Sequence, residues 1–478
     1  MIQVLFVAFE SLPFVKTGGL ADVVYALPKA LNKKEYEVRC VLPLIKTIKD
    51  KYGDKLVYED HIYVNSGYIV EEANIFSYVN EGIKYYFIEN DTFFGRDDVY
   101  GYHDDAARFA FFNMAVLEMC IKFDYYPDIM HEHDYHTAVL PALCKLKYNA
   151  IESIRRIKHI FTIHNLVYQG VYDKSVLFDL FGFDYRYYED GSLRFNDCCN
   201  FMKIGIVFAD AITTVSKTYA KEIQTSEYGE NLEMMLRYRR DDLFGIVNGI
   251  DTDLFNPSKD EIFYEYNLRN YLKGKSFNKA ALQRELGLNE DPDALLIGII
   301  SRLTFQKGIE LFINCLPEIL KRNVQIAVLG TGESKYEYAL KMLEEGNKGR
   351  CVFYCGYNEK LAHSMYAGLD MLLMPSLFEP CGISQLVAMR YGTIPFVRET
   401  GGLYDTVEPY NEYSHEGRGF TFGPYDENAF MRVFDYAYTT YVDRYDDWKM
   451  LIRNAMKYDV SFKRSALDYE EIYKKVLA

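Results

Sequence analysis

The sequence predicts an α/β protein of two domains, each built on a largely parallel β-sheet. Apolar, strand-like runs alternate with helical segments along the whole chain. The 478 residues are too many for one compact core and suit two domains of ordinary size. A glycine motif at residues 17–22 (Thr-Gly-Gly-Leu-Ala-Asp) recurs at residues 400–405 (Thr-Gly-Gly-Leu-Tyr-Asp), each time after an apolar run. Two α/β domains whose glycine loops face one cleft would explain that repetition.

The predicted strands are apolar runs bounded by loop residues. They are residues 4–9, 37–42, 128–134, 159–163, 211–215 and 243–247 in the first half, and 294–300, 324–329, 351–355 and 371–375 in the second. Residues 55–90 alternate in β fashion around two turn signals, which predicts hairpins inserted into or beside the first sheet. The run 294–300 is almost wholly apolar, which is typical of a strand buried on both faces.

Helical spacing of apolar residues predicts several helices between these strands. They are residues 21–31, 106–123, 193–208 and 461–477. Ser216 is the expected N-cap of a further helix. Residues 253–272 have no clean period and include an Asn-Pro-Ser turn, so we expect a linker there and a domain boundary near residue 250.

Composition excludes several classes of partner. The chain has 54 basic and 69 acidic residues and a net charge of −15, which argues against nucleic acid or an anionic membrane as partner. No apolar run approaches the ~20 residues of a membrane span, and the first strand lacks the basic start of a signal peptide. The 9 irregularly spaced cysteines indicate reduced thiols. We therefore expect a cytoplasmic protein.

The first glycine loop has the layout of a phosphate site: strand, glycine pair, helix. Gly18 and Gly19 let the backbone pass close to an anion, the helix start offers unpaired N–H groups, and Lys16 adds a cation. The alternative is a tight turn with a surface lysine.

A second anion site is predicted after the strand at residues 294–300. Arg302 and Lys307 lie five residues apart on a strand-to-helix loop beside Gly308, where a forked guanidinium and an ammonium can clamp a diphosphate. An ordinary surface loop could also carry both cations. Residues 330–332 (Gly-Thr-Gly) lack a third glycine at dinucleotide spacing and are weak support for a nicotinamide cofactor.

Polar residues end two neighbouring strands of the first domain. His133, Asp134 and His136 follow one strand, and residues 164–165 (His-Asn) follow the next. Ligands of open α/β sheets bind beyond the carboxyl ends of strands, so this edge is a candidate site. His131, His133 and His136 raise the alternative of a metal site, which is disfavoured because His131 and His133 project to one face of a strand and Asp134 is equally well placed as a helix N-cap. Cys351 and Cys355 likewise have no second pair or neighbouring histidine that would complete a zinc site.

Glu379 lies on a loop before a proline and a glycine, where its carboxylate and the N–H groups of Ile383 and Ser384 can face a ligand. The alternative is an acidic residue that complements the dipole at a helix start.

Taken together, these motifs resemble the family of bacterial glycogen synthases and plant starch synthases, retaining glucosyltransferases of glycosyltransferase family 5. The motifs that carry the resemblance span nearly the whole chain: residues 16–22, 131–136, 162–165, 248–251, 302–308, 378–386 and 400–403. The resemblance implies a GT-B fold, in which two Rossmann-like doubly wound domains face an interdomain cleft. The implied domains are residues 1–249 on the acceptor side, 250–456 for the nucleotide sugar, and a C-terminal helix at 457–478 that returns to the first domain.

The resemblance implies transfer of glucose from ADP-glucose to the non-reducing end of an α-1,4-glucan, with no cofactor and no metal. The implied catalytic residues are His164, Arg302, Lys307, Glu379, Asp22 and Asp134. The implied donor-binding residues are Lys16, Gly18, Gly19, Asn248, Tyr357, Cys381, Gly382, Ile383, Ser384, Thr400 and Gly401. The implied acceptor-side residues are Tyr100, Tyr135 and Asn165.

The same resemblance implies a front-face mechanism, in which the leaving phosphate accepts the proton of the acceptor and His164 shields the sugar face. Fixed cations at the diphosphate would lower the barrier most directly. Two positions depart from related patterns. The family usually has Trp where this chain has Tyr135, and Val387 stands where related retaining transferases often carry a second Glu.

Other functions stay open at this stage. The donor could be UDP-glucose, or the enzyme could make a small glycoside. The chain could also be a silent glucan-binding protein, although such proteins usually lose the cations and acids that are present here. A nicotinamide-dependent oxidoreductase is a third alternative.

Overall fold

A computed structural model describes residues 1–67 and 69–478, and Tyr68, inside the predicted hairpin segment, lies outside the described residues. The chain divides into two compact units. Unit 1 consists of Met1–Asn248 with Phe462–Ala478, and unit 2 of Gly249–Ser461. Both units are α/β, as predicted.

The described residues of Met1–Asn248 in unit 1 form twelve strands and eleven α-helices, besides three short 3-10 or π helices. The strands are β1 (Ile2–Val7), β2 (Tyr36–Pro43), β3 (Val57–Ser66), β4 (Ile69–Asn80), β5 (Ile83–Glu89), β6 (Ile129–His133), β7 (Lys158–Ile163), β8 (Val171–Asp173), β9 (Arg194–Phe195), β10 (Cys198–Asn200), β11 (Ala211–Thr214) and β12 (Leu243–Gly245). The helices are α1 (Gly19–Leu31), α2 (Lys46–Tyr52), α3 (Asp91–Phe94), α4 (Asp105–Lys122), α5 (Leu140–Ala142), α6 (Glu152–Arg155), α7 (Ser175–Asp179), α8 (Arg186–Glu189), α9 (Phe201–Phe208), α10 (Lys217–Glu222) and α11 (Glu233–Tyr238).

The main sheet of unit 1 has nine strands in the order β12-β11-β7-β6-β1-β2-β5-β4-β3. Strands β12 to β5 in this order run parallel, and β4 pairs antiparallel with both β5 and β3. The predicted hairpins therefore extend one end of the parallel sheet. From β1 the chain continues to β2 on one side, and from β6 it continues through β7 and β11 to β12 on the other side, so the strand order reverses between β1 and β6.

Unit 2 holds a wholly parallel six-stranded sheet in the order β15-β14-β13-β16-β17-β18. Its strands are β13 (Leu295–Ile300), β14 (Val324–Gly330), β15 (Cys351–Cys355), β16 (Met371–Met374), β17 (Ile394–Arg398) and β18 (Phe420–Phe422). Its helices are α12 (Tyr271–Glu285), α13 (Ile309–Ile319), α14 (Ser334–Gly346), α15 (Glu359–Gly368), α16 (Ser384–Arg390), α17 (Gly401–Thr406), α18 (Glu427–Asp443) and α19 (Tyr445–Lys457). Strand order reverses between β13 and β16.

The central strands of unit 2 are buried on both faces. Every residue of β14 is buried, and five of the six residues of β13 are, as the continuous apolar run predicted. Helices cover both faces of such a sheet, because a strand without a polar face cannot meet water. Polar chemistry is thereby confined to the loops at the strand ends.

The last helix, α20 (Phe462–Leu477), belongs to unit 1. Tyr469 and Tyr473 on its buried side are both 0% exposed, and α20 packs on α1. Its amphipathic pattern was correctly predicted, because buried positions recur at helical spacing. No helix in the described ranges is long and apolar enough to cross a membrane.

Two local predictions are wrong. The segment 193–208 is not helical throughout, because β9 and β10 form a small antiparallel sheet with β8 and only Phe201–Phe208 is a helix. Asp134 does not cap a helix. It has a left-handed φ of 57°, and the next α-helix begins only at Leu140. In contrast, Ser216 caps α10 as predicted, because its Oγ accepts a hydrogen bond from the N–H of Tyr219.

Candidate active site

Most of the candidate residues lie at the carboxyl edges of the two parallel sheets. In unit 1 they follow β1, β6, β7 and β12, and in unit 2 they follow β13 and β16. These positions surround the places where the strand order of each sheet reverses, which is where open α/β sheets bind ligands. We describe the two halves in turn.

The loop after β1 is organised by Glu10. This side chain is only 3% exposed, and its carboxylate accepts hydrogen bonds from the N–H groups of Thr17 and Gly18 and from the Thr17 hydroxyl. The Tyr100 hydroxyl donates a fourth bond at 3.3 Å. Burial raises the pKa of Glu10, and the hydrogen bonds from Thr17 and Gly18 act in the opposite direction. Glu10 thus holds the glycine loop in this conformation through its hydrogen bonds to Thr17 and Gly18.

The glycine pair itself has free space on its side-chain face. A Cβ added to Gly18 or Gly19 would meet no atom within 4 Å among the described residues, and neither φ is in the left-handed region. Packing and backbone strain therefore give no reason for glycine at either position. Nearby, the Lys16 ammonium lies 2.8 Å from the carboxylate of Asp22, which is 5% exposed on α1.

Asp134 and His164 are joined across the ends of β6 and β7. The Asp134 carboxylate accepts a hydrogen bond of 2.7 Å from the backbone N–H of His164. Burial raises the pKa of Asp134 to about 7, a shift to which the charge of Glu10 adds and which the backbone N–H groups of His164 and Asn165 oppose. Burial lowers the pKa of His164 to about 3, so its imidazole is neutral at neutral pH.

Behind His164 lies a row of buried histidines. His133 Nδ1 is 3.0 Å from His164 Nε2, and the rings of His131 and His133 stack at 4.4 Å. His131 Nδ1 is 2.8 Å from the hydroxyl of Tyr473 on α20, and its Nε2 is 2.6 Å from the Thr162 hydroxyl. Burial lowers the pKa of His131 and of His133 well below the usual histidine range. The row is therefore a neutral hydrogen-bonded support for His164.

The predicted acceptor-side residues form an aromatic surface in unit 1. The Tyr100 ring stacks on His136 at 4.4 Å, and the Tyr135 ring lies 4.0 Å from the same imidazole, tilted by 39°. The side-chain oxygen of Asn165 accepts a hydrogen bond from the N–H of Val167. Tyr135 directly follows Asp134 in sequence, and Tyr135, His136 and Asn165 follow β6 and β7 at the same sheet edge.

Asn248 follows β12 and is 6% exposed. Its buried Oδ1 receives no hydrogen bond from the described residues. Burying a polar atom without a partner costs roughly 1–3 kcal/mol. An unsatisfied amide oxygen at a predicted donor position is consistent with a ligand partner.

In unit 2, the loop after β13 carries two cations in different environments. Arg302 is exposed, and its guanidinium has no hydrogen-bond or ion-pair partner in the described part of the chain. The Lys307 ammonium lies 2.6 Å from the carboxylate of Glu379. Between Lys307 and α13, Gly308 adopts a φ of 71°, and a Cβ there would lie 1.9 Å from the carbonyl oxygen of Pro375. Glycine is required at this position for close approach of the two loops.

Glu379 is 5% exposed and is held at several points. The Ser376 hydroxyl donates to its carboxylate at 3.1 Å. The loops after β13 and β16 are also linked by their backbones, because the N–H of Leu377 donates to the carbonyl of Gln306. Lys307 and Glu379, 72 residues apart in sequence, are thereby fixed as one pair.

The start of α16 and the second glycine loop pack against the Glu379 loop. A Cβ on Gly401, whose φ is 44°, would lie 2.0 Å from the carbonyl oxygen of Glu379. The buried amide of Gln385 donates to the carbonyls of Cys381 and Gly382 and to the hydroxyl of Thr406. The remaining predicted donor residues of this region, Ile383, Ser384 and Thr400, lie at the same helix starts.

Tyr357 follows β15 and is 76% exposed, so its ring presents a flat face at the carboxyl edge of the sheet. No group of three or more His, Cys, Asp or Glu side chains that could hold a metal ion occurs among residues 1–67 and 69–478. His131 lies within hydrogen-bond distance of Tyr473 and Thr162, and His133 of His164. His136 packs against the ring of Tyr100.

Sequence analysis missed one organising residue of this site, Glu10. Its signal was a single carboxylate directly after a buried apolar strand, which is costly unless hydrogen bonds satisfy it. The structure supplies those bonds from the glycine loop. The roles predicted for the other site residues stay predictions.

Comparison with known proteins identifies the class. Residues 3–238 match the family model for the starch synthase catalytic domain, and residues 279–456 match that for glycosyl transferases group 1. The catalytic domain of starch synthase IV from Arabidopsis thaliana, solved with ADP and acarbose bound, superposes with a TM-score of 0.93 at 33% identity and covers 100% of this chain and 99% of that one. The chain is thus a glycosyltransferase of GT-B fold.

Curated relatives define the family within that class. Glycogen synthase from Clostridium beijerinckii is 44% identical over 476 residues, with 99% of both chains covered. Glycogen synthase from Clostridioides difficile is 45% identical over 480 residues, with 99% of this chain and 100% of that one covered. Sucrose-phosphate synthase from Thermosynechococcus elongatus, at 15% identity and a TM-score of 0.59, shares the fold alone. The chain belongs to the glycogen synthase and starch synthase family, as its motifs predicted.

Proposed function

We propose that this enzyme transfers glucose from ADP-glucose to the non-reducing end of an α-1,4-glucan, with retention of configuration at the anomeric carbon. The observation that carries the proposal is the cation pair at the sheet edge of unit 2. Arg302 offers a guanidinium without a protein partner in the described residues, and Lys307 is held by Glu379 at 2.6 Å. Such a pair suits a diphosphate leaving group.

The chemistry follows from where charge develops. The bond between the anomeric carbon and the diphosphate breaks, a bond to the acceptor hydroxyl oxygen forms, and the hydroxyl proton passes to the departing phosphate oxygen. Negative charge grows on the diphosphate, so preorganised cations stabilise the transition state more than the ground state. An ammonium has three donors, so Lys307 can keep its bond to Glu379 while it reaches phosphate oxygens.

Residues of unit 1 support the part of the proposal that concerns binding of the transferred glucose. His164 is neutral at neutral pH, so it acts as a hydrogen-bonding and packing group against the glucose and not as a cation. Gly18 and Gly19 leave space for a ligand beside the backbone. The unsatisfied oxygen of Asn248 adds an acceptor for a ligand hydroxyl or N–H group.

The relatives support the same substrates. Eight curated relatives at 43–45% identity carry the name glycogen synthase, and the Arabidopsis structure was solved with ADP and the oligosaccharide acarbose. We propose that the reaction needs no metal and no further cofactor, because Arg302 and Lys307 supply the charge at the diphosphate. We also propose a cytoplasmic location, in keeping with nine cysteines among which the described residues form no disulfide.

Glucose incorporation into glycogen tests the proposal directly. The enzyme is incubated with glycogen and either radiolabelled ADP-glucose or radiolabelled UDP-glucose, with and without EDTA. We expect label from ADP-glucose, no effect of EDTA, and release of the label as maltose by β-amylase, which cleaves α-1,4 bonds from the non-reducing end. Transfer from UDP-glucose alone would replace the proposed donor, and transfer from neither would reject the function. Arg302→Ala is the matched inactive control.

A further inference from the structure

Unit 2 has a cavity of about 700 Å³ at the amino edge of its sheet, whereas Lys307 and Glu379 lie at the carboxyl edge. This volume is within the range of ~300–1,000 Å³ that is typical of small-ligand sites. Residues of α12, of the ends of α18 and α19 that follow it, and of the segments before β13 and β16 line the cavity. We call it the α12 pocket. The residues used below are Leu272, Lys275, Lys279, Ala280, Tyr441 and Tyr445.

One of the two lysines of the α12 pocket, Lys279, has its charge balanced by the protein. Its ammonium lies 2.8 Å from the carboxylate of Asp370, directly before β16. The same ammonium donates hydrogen bonds to the carbonyl oxygens of Pro292 and Ala294 and lies 2.8 Å from the Tyr441 hydroxyl. Three donors that face four oxygens leave no hydrogen for a ligand.

The other lysine, Lys275, lies one turn earlier on α12 and has only neutral partners. It is 6% exposed, and its ammonium donates at 2.6 Å to the carbonyl oxygen of Leu369 and at 2.6 Å to the hydroxyl of Thr393. Among residues 1–67 and 69–478 no carboxylate pairs with it, and its third N–H has no acceptor. A buried charge without a partner of opposite sign is costly.

The cost of burying this cation appears in its pKa. Burial lowers the pKa of Lys275 to about 7, a shift that the charge of Asp370 opposes and the charge of Lys279 enhances. An anion next to Lys275 would reverse the shift, because an opposite charge favours the ammonium form. The α12 pocket thus holds a cation that an anionic ligand would stabilise.

The other walls of the α12 pocket indicate what else the ligand carries. Leu272 and the rings of Tyr441 and Tyr445 supply apolar surface. Two further acids, Glu290 and Asp293, line the pocket but are exposed, so that water and salt screen their charges. A ligand with an anionic group and an apolar body matches this combination.

We propose that the α12 pocket binds a small organic anion, whose carboxylate or phosphate group bonds to the Lys275 ammonium and whose apolar part packs on Leu272, Tyr441 and Tyr445. The anion supplies both the acceptor and the opposite charge that the protein does not provide for Lys275. The α12 pocket and the candidate donor site lie at opposite edges of the same sheet, so the anion does not compete with ADP.

Trp448 provides a probe of the α12 pocket. It is the single tryptophan of the chain, and its ring lies 5.1 Å from the ring of Tyr441. Benzoate and phenyl phosphate are titrated separately into the full-length enzyme, with and without saturating ADP, while tryptophan fluorescence is recorded. We expect a saturable change with at least one of them, at the same affinity in both conditions, and none with benzyl alcohol.

The outcomes of this titration separate the sources of the anionic group. A response to benzoate alone assigns a carboxylate ligand, and a response to phenyl phosphate alone assigns a phosphate ligand. Competition by ADP would place the probe in the donor site and overturn the inference. A saturable response to neither probe, or an equal response to benzyl alcohol, would also overturn it.

Lys275→Met removes the charge and keeps the length of the side chain. We expect the affinity for the probe to fall at least about tenfold, the effect of losing one charged hydrogen bond. Lys321→Met is the matched control, since Lys321 is 66% exposed on the same unit and should leave the affinity unchanged. Ala280→Phe fills the pocket from α12 and leaves Lys275 in place, so it should cause the same loss. Unchanged affinity in either folded variant would overturn the inference.

Proton uptake distinguishes a ligand-binding lysine from a purely structural one. With a pKa of about 7, about half of the Lys275 side chains are neutral at pH 7, so binding of an anion should take up about half a proton. Since the charge of benzoate is constant in this range, its affinity should be about tenfold lower at pH 8 than at pH 6. Calorimetry in two buffers of different ionisation enthalpy measures the uptake. Binding without uptake would overturn the assignment to Lys275.

Discussion

The two glycine loops have the same sequence at their start and different surroundings. Residues 17–20 and 400–403 both read Thr-Gly-Gly-Leu, and both glycine pairs lie at the start of a helix. Gly18 is the N-cap of α1 and Gly19 its first residue, whereas Gly401 and Gly402 are the first two residues of α17. In unit 1 a Cβ on Gly18 or Gly19 would touch no atom of the described residues within 4 Å. In unit 2 a Cβ on Gly401 or Gly402 would lie 2.0 Å from the carbonyl oxygen of Glu379 or 2.3 Å from that of Cys381.

The difference shows that the same glycine motif can serve close packing of two backbone segments in one unit and leave open space beside the backbone in the other. The unit 2 glycines let the backbone of the Glu379 loop approach and so position a carboxylate. Among the residues that the structure describes, the unit 1 glycines have no neighbour that requires them, and the open space beside them suits a ligand. Each loop also lies near a lysine paired with a carboxylate, Lys16 with Asp22 and Lys307 with Glu379.

The largest effect should come from the lysine of unit 2. We expect Lys307→Ala to lower kcat about 10³-fold and Lys16→Ala about 10²-fold, since removing one preorganised charge-stabilising group typically costs about 10²–10³. Lys307 has the larger expected effect because its side chain is 18% exposed against 29% for Lys16. Steady-state kinetics with ADP-glucose and glycogen give both numbers. Lys321→Ala, which removes a lysine that is 66% exposed on unit 2, should leave kcat unchanged. Equal losses at Lys16 and Lys307 would remove the proposed difference between the two halves.

Gly401→Ala should unfold unit 2 more easily. A left-handed φ costs alanine roughly 1–2 kcal/mol, and the forced shift of the Glu379 carbonyl costs roughly 1–3 kcal/mol. We therefore expect the free energy of unfolding of unit 2 to fall by about 3 kcal/mol. The chain has a single tryptophan, Trp448, which is 1% exposed in unit 2, so its fluorescence follows the unfolding of that unit alone. Urea titration of Trp448 fluorescence measures the loss. An unchanged midpoint would contradict the packing role of this glycine.

Gly19→Ala should separate stability from activity in unit 1. The position is helical and open, so alanine should stabilise the fold by up to about 1 kcal/mol by restricting the unfolded chain. If a ligand needs the space beside Gly19, KM for ADP-glucose should nevertheless rise about tenfold, the effect of roughly 1.4 kcal/mol. Kinetics and thermal unfolding of the same preparation test both parts. A stabilised variant with normal KM would show that the open space serves no ligand.

The sequence was sufficient for most strands of the two parallel sheets and for polar residues at their edges, because buried parallel strands are continuous apolar runs and polar residues that end them stand out. It could not show pairings between distant segments. The strand Cys198–Asn200 depends on Val171–Asp173, and the Lys307–Glu379 pair joins two loops 72 residues apart. Glu10 was missed for the same reason, since its partners are N–H groups of a loop whose conformation the sequence does not specify.

Asp134 is the unit 1 counterpart of Glu379, but it has no ion pair among the described residues. Its pKa is raised to about 7 from an ordinary value near 3.9, so the folded state binds the proton more tightly than the unfolded state. The stabilising contribution of this carboxyl group is therefore complete at low pH and is lost as pH rises from about 4 to 7. Asp134→Asn should remove this dependence while it loses activity.

Hydrogen exchange of the β6 and β7 peptides, corrected for intrinsic rates, measures the effect of Asp134. Relative to the parent enzyme, Asp134→Asn should gain protection between pH 5 and pH 8. The buried acid Glu132, whose pKa is also raised, is present in both proteins and cancels in the comparison. The charge of Glu10 adds to the raised pKa of Asp134, so its effect on Asp134 is lost together with that carboxyl group. A parallel pH dependence in the two proteins would show that Asp134 does not titrate in this range.

The smallest effect should come from Tyr473 on α20, which reaches the candidate site only through the histidine row. Its hydroxyl lies 2.8 Å from His131, which stacks on His133, which in turn contacts His164. Tyr473→Phe leaves a buried imidazole nitrogen without this partner, so we expect kcat to fall only about two- to fivefold through a small displacement of His164. Tyr36→Phe removes a buried hydroxyl that has no hydrogen-bond partner among the described residues, and it should have no effect. Because Tyr473 acts through the histidine row, the loss should be absent in a background that already carries His164→Ala, whereas a purely structural role would add its effect to that of the second substitution.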